Sequence, residues 1–214
     1  MLTEDFVGRV AVVIIMTVLV IFASAPLAIH LQQGQSGSIP AVVTQVASTL
    51  FLGFQLVMTV ARLPPRGTAR GIGPRLASIG GAFVMLVAMY LTPAFDSETA
   101  QLLALCLIFA GTVSSIFCLY WLGRSFSIMA TARRLVTTGP YAVVRHPLYL
   151  CEAVFVLGVV ISHLSLAMVV IGALQCILQY QRARNEEGIL RQTFPEYDEY
   201  ARRVPMLLPR LSKS

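Results

Sequence analysis

Four uninterrupted apolar runs, each about 20 residues long, constrain this chain more than any other feature. They lie at 9–29, 40–61, 76–92 and 101–122, and about 20 apolar residues are what an α-helix needs to cross the hydrocarbon of a bilayer. The runs lack the period-two alternation of barrel strands, and the bilayer core holds no water to satisfy an irregular backbone. We therefore predict an all-α, polytopic integral membrane protein with four transmembrane helices.

A fifth apolar region, at about 148–180, is too long for one span and is interrupted by the polar sequence SHLS. We predict a helical hairpin with arms at 148–161 and 166–181. Each arm is only about 21–24 Å long at the usual helical rise. The hairpin therefore either crosses a thinned or protein-lined region or forms a kinked re-entrant pair, and both alternatives stay open. The composition agrees with a membrane protein, since 57% of the residues are hydrophobic and 12% are charged.

Arginines in the short loops predict the orientation of the chain. The loops 62–75 and 123–147 each contain four arginines, whereas 30–39 and 92–100 contain neither Lys nor Arg. Short basic loops stay in the cytoplasm, so we expect both termini and the functional site on the cytoplasmic side. The net charge of +6 then reflects topology and contact with anionic membrane lipids, and predicts no nucleic-acid partner.

The four cysteines, Cys106, Cys118, Cys151 and Cys176, all lie in apolar segments. They form no CxxC pair, and no histidine stands at the spacing of a metal ligand. We predict buried thiols and no metal site.

The segment TTGPYAVVRHPLYLCE, residues 137–152, places charged residues against the predicted hairpin. Pro147 suits the first turn of a helix, where its missing N–H costs nothing. Arg145 and His146 then lie beside the positive end of that helix, a concentration of donors that favours a carboxylate or phosphate. An anion-binding mouth is one interpretation, and anchoring at the lipid headgroups is the other. Glu152, one turn into the helix, is a candidate for substrate binding because a buried acid is costly, although an interfacial position would explain it as well.

A second charged segment, QRARNEEGIL, follows the hairpin. Arg182 and Glu186 stand at i and i+4, so they share one face of a helix. Glu186 and Glu187 are adjacent like charges that need cations nearby, and the available cations are Arg145, His146, Arg182 and Arg184. Beyond them, apolar residues recur near helical spacing and predict a cytoplasmic amphipathic lid at the interface: Phe194, Tyr197, Tyr200, Val204, Leu207 and Leu208.

Together these stretches resemble the isoprenylcysteine carboxyl methyltransferase family, which is related to the phospholipid methyltransferases. The similarity lies in GPYAVVRHPLY at 139–149, RARNEEGIL at 182–190, and the tail FPEYDEY followed by RVP. It implies a scaffold at 1–122 and an S-adenosyl-L-methionine-binding catalytic region at 123–214, within one structural domain. Cys151 stands where the family often has Gly, and SHLS lacks a common Asn-Pro, so the substrate stays open.

The resemblance also implies roles for individual residues. Arg182 corresponds to the substrate-facing arginine, and we expect Arg182 and Glu186 to be catalytic, with Glu152 beside the substrate. The expected cofactor-binding residues, including the neighbouring Arg145 and Glu187, are Arg133, Arg134, Leu135, Val136, Tyr141, Arg145, His146, Pro147, Leu148, Tyr149, Glu186 and Glu187.

Methyl transfer needs little covalent help from the protein, and an anionic acceptor needs no general base. The resemblance implies a lipophilic or lipidated acceptor. Apart from Glu152 and Glu187 no residue stands out as a dedicated base, so we expect the carboxylate of a prenylcysteine-like or other lipid substrate. Two alternatives remain: a sterol-type reductase that would bind NADPH at the same basic mouth, and a transporter or scaffold. The second would need polar residues along several spans, and the first four runs are nearly free of charge.

Overall fold

The computed structural model confirms the helical class, and most of the chain that it describes is α-helix. The described residues are 2–33, 39–68, 80, 84–85, 88, 92–93, 95–128 and 131–209. Their elements include helices α1 (Leu2–Gln33), α2 (Ile39–Ala61), α3 (Glu98–Leu122), α4 (Pro147–Ser162), α5 (Leu166–Thr193) and α6 (Tyr197–Arg203), and strands β1 (Gly67–Thr68) and β2 (Thr131–Ala132). The predicted span at 76–92 lies mostly outside the described residues.

Within the described part of the chain, two helical stretches are long and apolar enough to cross a membrane, Glu98–Ser125 and Leu166–Thr193. Shorter apolar helices accompany them, at Arg9–Ala25, Gln45–Ala61 and Pro147–Ser162. Large apolar side chains project from the outer faces of the two long stretches, such as Phe117 (56% exposed) and Ile177 (58% exposed). Extended apolar surface of this kind fits lipid better than water. These features support membrane association, while the count of four spans and the depth of the hairpin stay predictions.

Local side-chain chemistry explains where three of the helices begin. Ser97 precedes α3, and its hydroxyl accepts a hydrogen bond from the backbone N–H three residues later at 3.4 Å. Ser165 caps α5 in the same way at 3.2 Å. These bonds satisfy N–H groups that have no partner within the helix. Pro147 occupies the first position of α4, as the sequence predicts.

Helices α3 and α4 run antiparallel with their backbones in close contact. A Cβ atom added to Gly158 on α4 would lie 2.9 Å from the carbonyl oxygen of Ala104, and one added to Gly111 on α3 would lie 2.6 Å from the backbone nitrogen of Phe155. Only a residue without a side chain allows this approach. The pair therefore forms a tightly packed base for the segment 123–146, which connects the two helices.

Helix α5 returns along α4. Near the turn between the two helices, Val159 of α4 and Met168 of α5 are completely buried in one cluster. Further from the turn, Nε2 of Gln179 on α5 donates to Oε2 of Glu152 on α4 at 2.9 Å. The helix continues to Thr193, well past the predicted arm at 166–181. This extension carries the charged residues of α5 to the end of the bundle where α4 begins.

The chain after α2 is hydrogen-bonded to the segment after α3. The N–H of Leu63 donates to the carbonyl of Arg124 at 2.9 Å, and the N–H of Arg66 donates to that of Ala132 at 2.8 Å. Strands β1 and β2 continue these contacts as a short antiparallel ladder. The guanidinium of Arg133 also donates to the carbonyl of Leu63. Residues 62–68 therefore hold the segment that follows α3 in place.

The prediction of four buried thiols is wrong for two of them. Cys118 is buried and Cys151 is half-buried, whereas Cys106 and Cys176 are exposed. The physical reason is that lipid tails are as apolar as a protein core, so an apolar residue in a membrane helix need not face inward.

Candidate functional site

A cavity of about 760 Å³, including its open mouth, lies where residues 122–149 meet the C-terminal half of α5 and helix α6. Most residues predicted from the sequence line it, namely Arg133, Arg134, Leu135, Val136, Tyr141, Arg145, His146, Leu148, Tyr149, Arg182 and Glu186. The sequence analysis did not assign the other lining residues to the site, which are Leu122, Ser125, Phe126, Ser127, Thr131, Leu190, Tyr197 and Tyr200.

Gly139 turns the chain into the cavity. Its φ is 61°, a left-handed conformation that glycine adopts without steric cost, and an added Cβ would lie 2.4 Å from the ring of Trp121. The 3₁₀ turn that begins there places Tyr141 in the cavity wall. The hydroxyl of Tyr200 donates to the carbonyl of Tyr141 at 2.6 Å, so α6 is fastened onto this turn.

Arg182 and Glu186 form a charged pair in the cavity wall. Arg182 is 4% exposed, its Nη2 donates to the carbonyl of Ser127 at 3.1 Å, and its Nε lies 3.4 Å from Oε1 of Glu186. The hydroxyl of Tyr149 donates to the same Glu186 oxygen at 2.6 Å, and its ring centre lies 5.2 Å from the guanidinium carbon of Arg182. A guanidinium and a carboxylate thus lie side by side. The guanidinium suits a negatively charged group of a ligand, and the carboxylate suits a positively charged or hydrogen-bond-donating group.

The predicted anion-binding mouth at the start of α4 is occupied by a carboxylate of the chain itself. Nε of Arg145 donates to Oε1 of Glu187 at 2.7 Å, and Nε2 of His146 lies 3.3 Å from the same oxygen. The backbone N–H groups of Arg145 and His146 donate to the carbonyls of Pro205 and Met206 at 2.9 and 3.1 Å. Both side chains still line the cavity, but these hydrogen bonds attach the C-terminal tail to the site.

Three residues that the sequence analysis assigned to the site do not line the cavity: Pro147, Glu152 and Glu187. Pro147 is the first residue of α4 and is buried there. Glu152 lies one turn deeper than Leu148, which places its carboxylate on Gln179 of α5. Glu187 follows Glu186 by one position, so the helix turns it away toward Arg145 and His146. The contact of these three residues with a cofactor or substrate stays a prediction, and none of them lines the cavity.

Besides the hydroxyl of Tyr197 on α6, three hydroxyl groups in the segment after α3 line the cavity and have no hydrogen-bond partner among the described residues. They belong to Ser125, Ser127 and Thr131, and their oxygen atoms are shielded from solvent. Buried hydroxyls normally find a partner, so this side of the cavity fits a ligand that brings hydrogen-bonding groups. These three residues belong to no recognised motif in the sequence, so the sequence analysis gave them no role.

The aromatic residues of the tail face the protein. Phe194, Tyr197 and Tyr200 are buried in a cluster with Ile189 of α5, whereas Leu208 is 75% exposed. These three aromatic residues therefore pack on the protein and not on the membrane surface, while the lid itself stays a prediction. Burial within the cluster raises the pKa of Tyr200 to about 12, so its hydroxyl remains a hydrogen-bond donor at neutral pH.

The pKa of Tyr141 is likewise raised well above its ordinary value, chiefly by burial and then by the charges of neighbouring acidic groups. Burial also raises the pKa of Tyr197, with Glu187 adding to the shift and Arg145 opposing it. The tyrosines around the cavity are thus neutral donors across the physiological range.

Comparison with known proteins finds similarity to a family of methyltransferases over part of the chain. The profile of the phospholipid methyltransferase family matches residues 99–197, a range that contains Arg182, Glu186 and all of the cavity-lining segment 122–149. A helical, membrane-associated protein with a polar small-molecule cavity is the class that the fold and site define. The matched range is a little under half of the chain, so the match is a similarity to the phospholipid methyltransferases, and the narrower isoprenylcysteine resemblance stays a prediction.

Two curated proteins are each similar to a little under half of the chain. The nickel-cobalt-cadmium resistance protein NccN of Alcaligenes xylosoxydans xylosoxydans is 43% identical over 103 residues, which cover 47% of this chain and 46% of the relative. The cobalt-zinc-cadmium resistance protein CzcN of Cupriavidus metallidurans is 43% identical over 103 residues, covering 47% and 45%. The chain therefore aligns with a little under half the length of each curated relative.

Proposed function

We propose that this chain is an integral membrane, S-adenosylmethionine-dependent methyltransferase that acts on a lipophilic acceptor. The observation that supports this most strongly is the Arg182–Glu186 pair in the wall of a cavity, within a segment similar to the phospholipid methyltransferases. S-adenosylmethionine supplies a methyl group that its sulfonium makes electrophilic. The protein then has to bind, orient and desolvate the two reactants.

The lining of the cavity is chemically suited to that cofactor. Leu135 and Val136 offer apolar contacts for an adenine ring, and the unpartnered hydroxyls of Ser125, Ser127 and Thr131 offer hydrogen bonds. The carboxylate of Glu186 would accept from an amino group or a ribose hydroxyl. These features support cofactor binding by Leu135, Val136, Tyr141 and Glu186, with Arg145 and His146 holding the tail that closes the site.

We assign Arg182 to the acceptor. Its planar guanidinium binds carboxylates in a defined orientation, and its burial at 4% exposure strengthens the attraction to an anion. The carboxylate of Glu186 in the cavity wall pairs with Arg182 and accepts a hydrogen bond from Tyr149. We therefore do not assign Glu186 the role of a general base. An acceptor that is already anionic, such as the carboxylate of a prenylcysteine-like or other lipid, fits this arrangement because it needs no deprotonation.

The exposed aromatic residues at the end of α3 support access from the bilayer. Tyr120 is 72% exposed and Trp121 is 37% exposed, and Trp121 packs on the turn at Gly139 beside the cavity. Tyr and Trp concentrate at the level of the lipid headgroups. We therefore propose that the cavity opens at the cytoplasmic membrane surface of a multi-pass protein whose two termini are cytoplasmic.

The proposal is tested by calorimetric titration of the full chain in detergent with S-adenosylhomocysteine and, separately, with NADPH. We expect micromolar binding of S-adenosylhomocysteine and about tenfold weaker binding by Glu186→Gln, since a charge-assisted hydrogen bond is lost. Glu199→Gln is the matched control, because that side chain is 64% exposed on α6. Absence of S-adenosylhomocysteine binding by folded protein would contradict the proposal, and binding of NADPH alone would favour the sterol-type reductase.

The acceptor class is tested with the same preparation and S-adenosylmethionine labelled in its methyl group. The acceptors supplied are N-acetyl-S-farnesylcysteine, oleic acid and phosphatidylethanolamine, in mixed micelles. Base-labile label in the first or second acceptor supports a carboxylate acceptor, because methyl esters hydrolyse in base. Base-stable label in phosphatidylethanolamine would show amine methylation and overturn the assignment of the acceptor, while leaving the methyltransferase proposal intact.

A further inference from the structure

Two cysteines from neighbouring helices are in direct contact beside the cavity. Sγ of Cys118 on α3 and Sγ of Cys151 on α4 lie 3.7 Å apart. The approach follows from the close packing of these helices through Gly111 and Gly158. Cys118 is 3% exposed, and Cys151 is half-buried, so Cys151 is the more accessible residue of the pair.

The surroundings of the pair favour a disulfide over a metal site. Among the described residues, no group of three or more His, Cys, Asp or Glu side chains could hold a metal ion. The two sulfur atoms already touch, and closing the gap from 3.7 Å to a bond of about 2.0 Å requires each to move by less than about 1 Å.

We propose that Cys118 and Cys151 are a dithiol modification site that a hydroperoxide oxidises reversibly to an intrachain disulfide. Cys151, the more accessible thiol, attacks the hydroperoxide, whose O–O bond breaks to give a sulfenic acid and an alcohol. The thiol of Cys118 then displaces water from the sulfenic acid and forms the S–S bond. Two thiols and one hydroperoxide thus yield one disulfide, one alcohol and one water, and a small dithiol reverses the reaction by exchange.

The disulfide would close a covalent loop of the chain that contains most of the residues lining the cavity. Every lining residue from Leu122 to Tyr149 lies between the two cysteines in sequence, and the remaining lining residues come from α5 and α6. Leu148 and Phe126 pack in one cluster with Cys118, whose carbonyl is 3.5 Å from the hydroxyl of Tyr141. Oxidation would therefore restrict the segment that forms the cavity wall, and would stabilise the folded chain by reducing the freedom of the unfolded one.

The test uses the full chain in nanodiscs with Cys106→Ser and Cys176→Ser, so that only the proposed pair remains. The protein is treated with cumene hydroperoxide, unfolded in detergent, alkylated with N-ethylmaleimide and weighed by mass spectrometry. We expect a monomer that has lost two hydrogen atoms and takes up no maleimide. When dithiothreitol is added before alkylation, the protein should take up two maleimides. Two adducts without reduction, sulfinic acids, or covalent dimers in place of the intrachain bond would each overturn the proposal.

The matched control carries Cys118→Ser and Cys151→Ser and keeps the two exposed cysteines. We expect no intrachain disulfide in this variant, and one that forms as readily as in the proposed pair would overturn the assignment. A second readout is the unfolding temperature, which should rise by several degrees on oxidation of the pair and return on reduction. An unchanged unfolding temperature after the disulfide has formed would contradict the inference that the bond restricts the segment of the cavity wall. Neither readout depends on a methyl donor.

Discussion

At the scale of single residues, Glu187 organises the charged end of the site. Its carboxylate is 4% exposed and contacts Arg145 at 2.7 Å and His146 at 3.3 Å through one oxygen. Its other oxygen lies 3.4 Å from Arg191. Through Arg145, which also donates to the carbonyls of Ala201 and Val204, this carboxylate holds helix α6 and the tail against the start of α4. We interpret Glu187 as a positioning residue.

Glu187→Gln should therefore lower the free energy of unfolding by about 3 kcal/mol, because it leaves a buried guanidinium without its counter-charge. Glu199→Gln, which removes an exposed pair with Arg203, should cost less than about 1 kcal/mol. Fluorescence of the single tryptophan in a denaturant titration measures both. The tail of Glu187→Gln should also be cleaved faster by trypsin, and equal losses in the two variants would contradict the positioning role.

At the scale of the elements, the contact between α3 and α4 decides how the cavity segment is supported. The two helices approach through backbone atoms at Gly111 and Gly158, which neighbouring side chains cannot relieve by changing rotamer. The segment between them carries most of the cavity wall. The separation of these helices is thus linked directly to the shape of the site.

We predict that Gly111→Ala lowers the free energy of unfolding by about 2 kcal/mol, since its Cβ would press on the backbone of α4. Gly53→Ala on α2 is the matched control. An added Cβ at Gly53 meets nothing within 4 Å, and alanine is favoured over glycine in a helix by about 1 kcal/mol. In thermal unfolding in detergent, the unfolding temperature should therefore fall for Gly111→Ala and rise for Gly53→Ala. A stabilised Gly111→Ala protein would show that the helices are not in contact there.

At the scale of the whole molecule, orientation follows from the arginine-rich loops and is a prediction that labelling can test. In a background without native cysteines, Thr138→Cys lies beside the cavity and Asp96→Cys lies before α3. We expect a membrane-impermeant maleimide to label position 138 only in inside-out vesicles and position 96 only in right-side-out vesicles, because short basic loops stay cytoplasmic. Labelling of both positions from the same side would contradict the proposed topology.

The sequence alone determined the features that depend on local patterns. The length of the apolar runs indicates membrane helices, Pro147 marks the start of α4, and the i, i+4 spacing of Arg182 and Glu186 predicts their pairing. Each of these depends on the geometry of one helix or on its fit to the bilayer, so neighbours along the chain suffice. The resemblance to membrane methyltransferases likewise came from short motifs in continuous segments.

Only the tertiary structure decided which of the charged and polar groups face one another. Glu187 and Arg145 are 42 positions apart in the sequence. Nothing in either segment indicates that Arg145 would pair with Glu187 and not with Glu186. The pairing of Glu152 with Gln179, the hydroxyls of Ser125 and Ser127 in the cavity, and the inward-facing tail have the same origin. Each depends on how separate helices rotate and pack against one another, and that packing is set by close contacts such as those at Gly111 and Gly158.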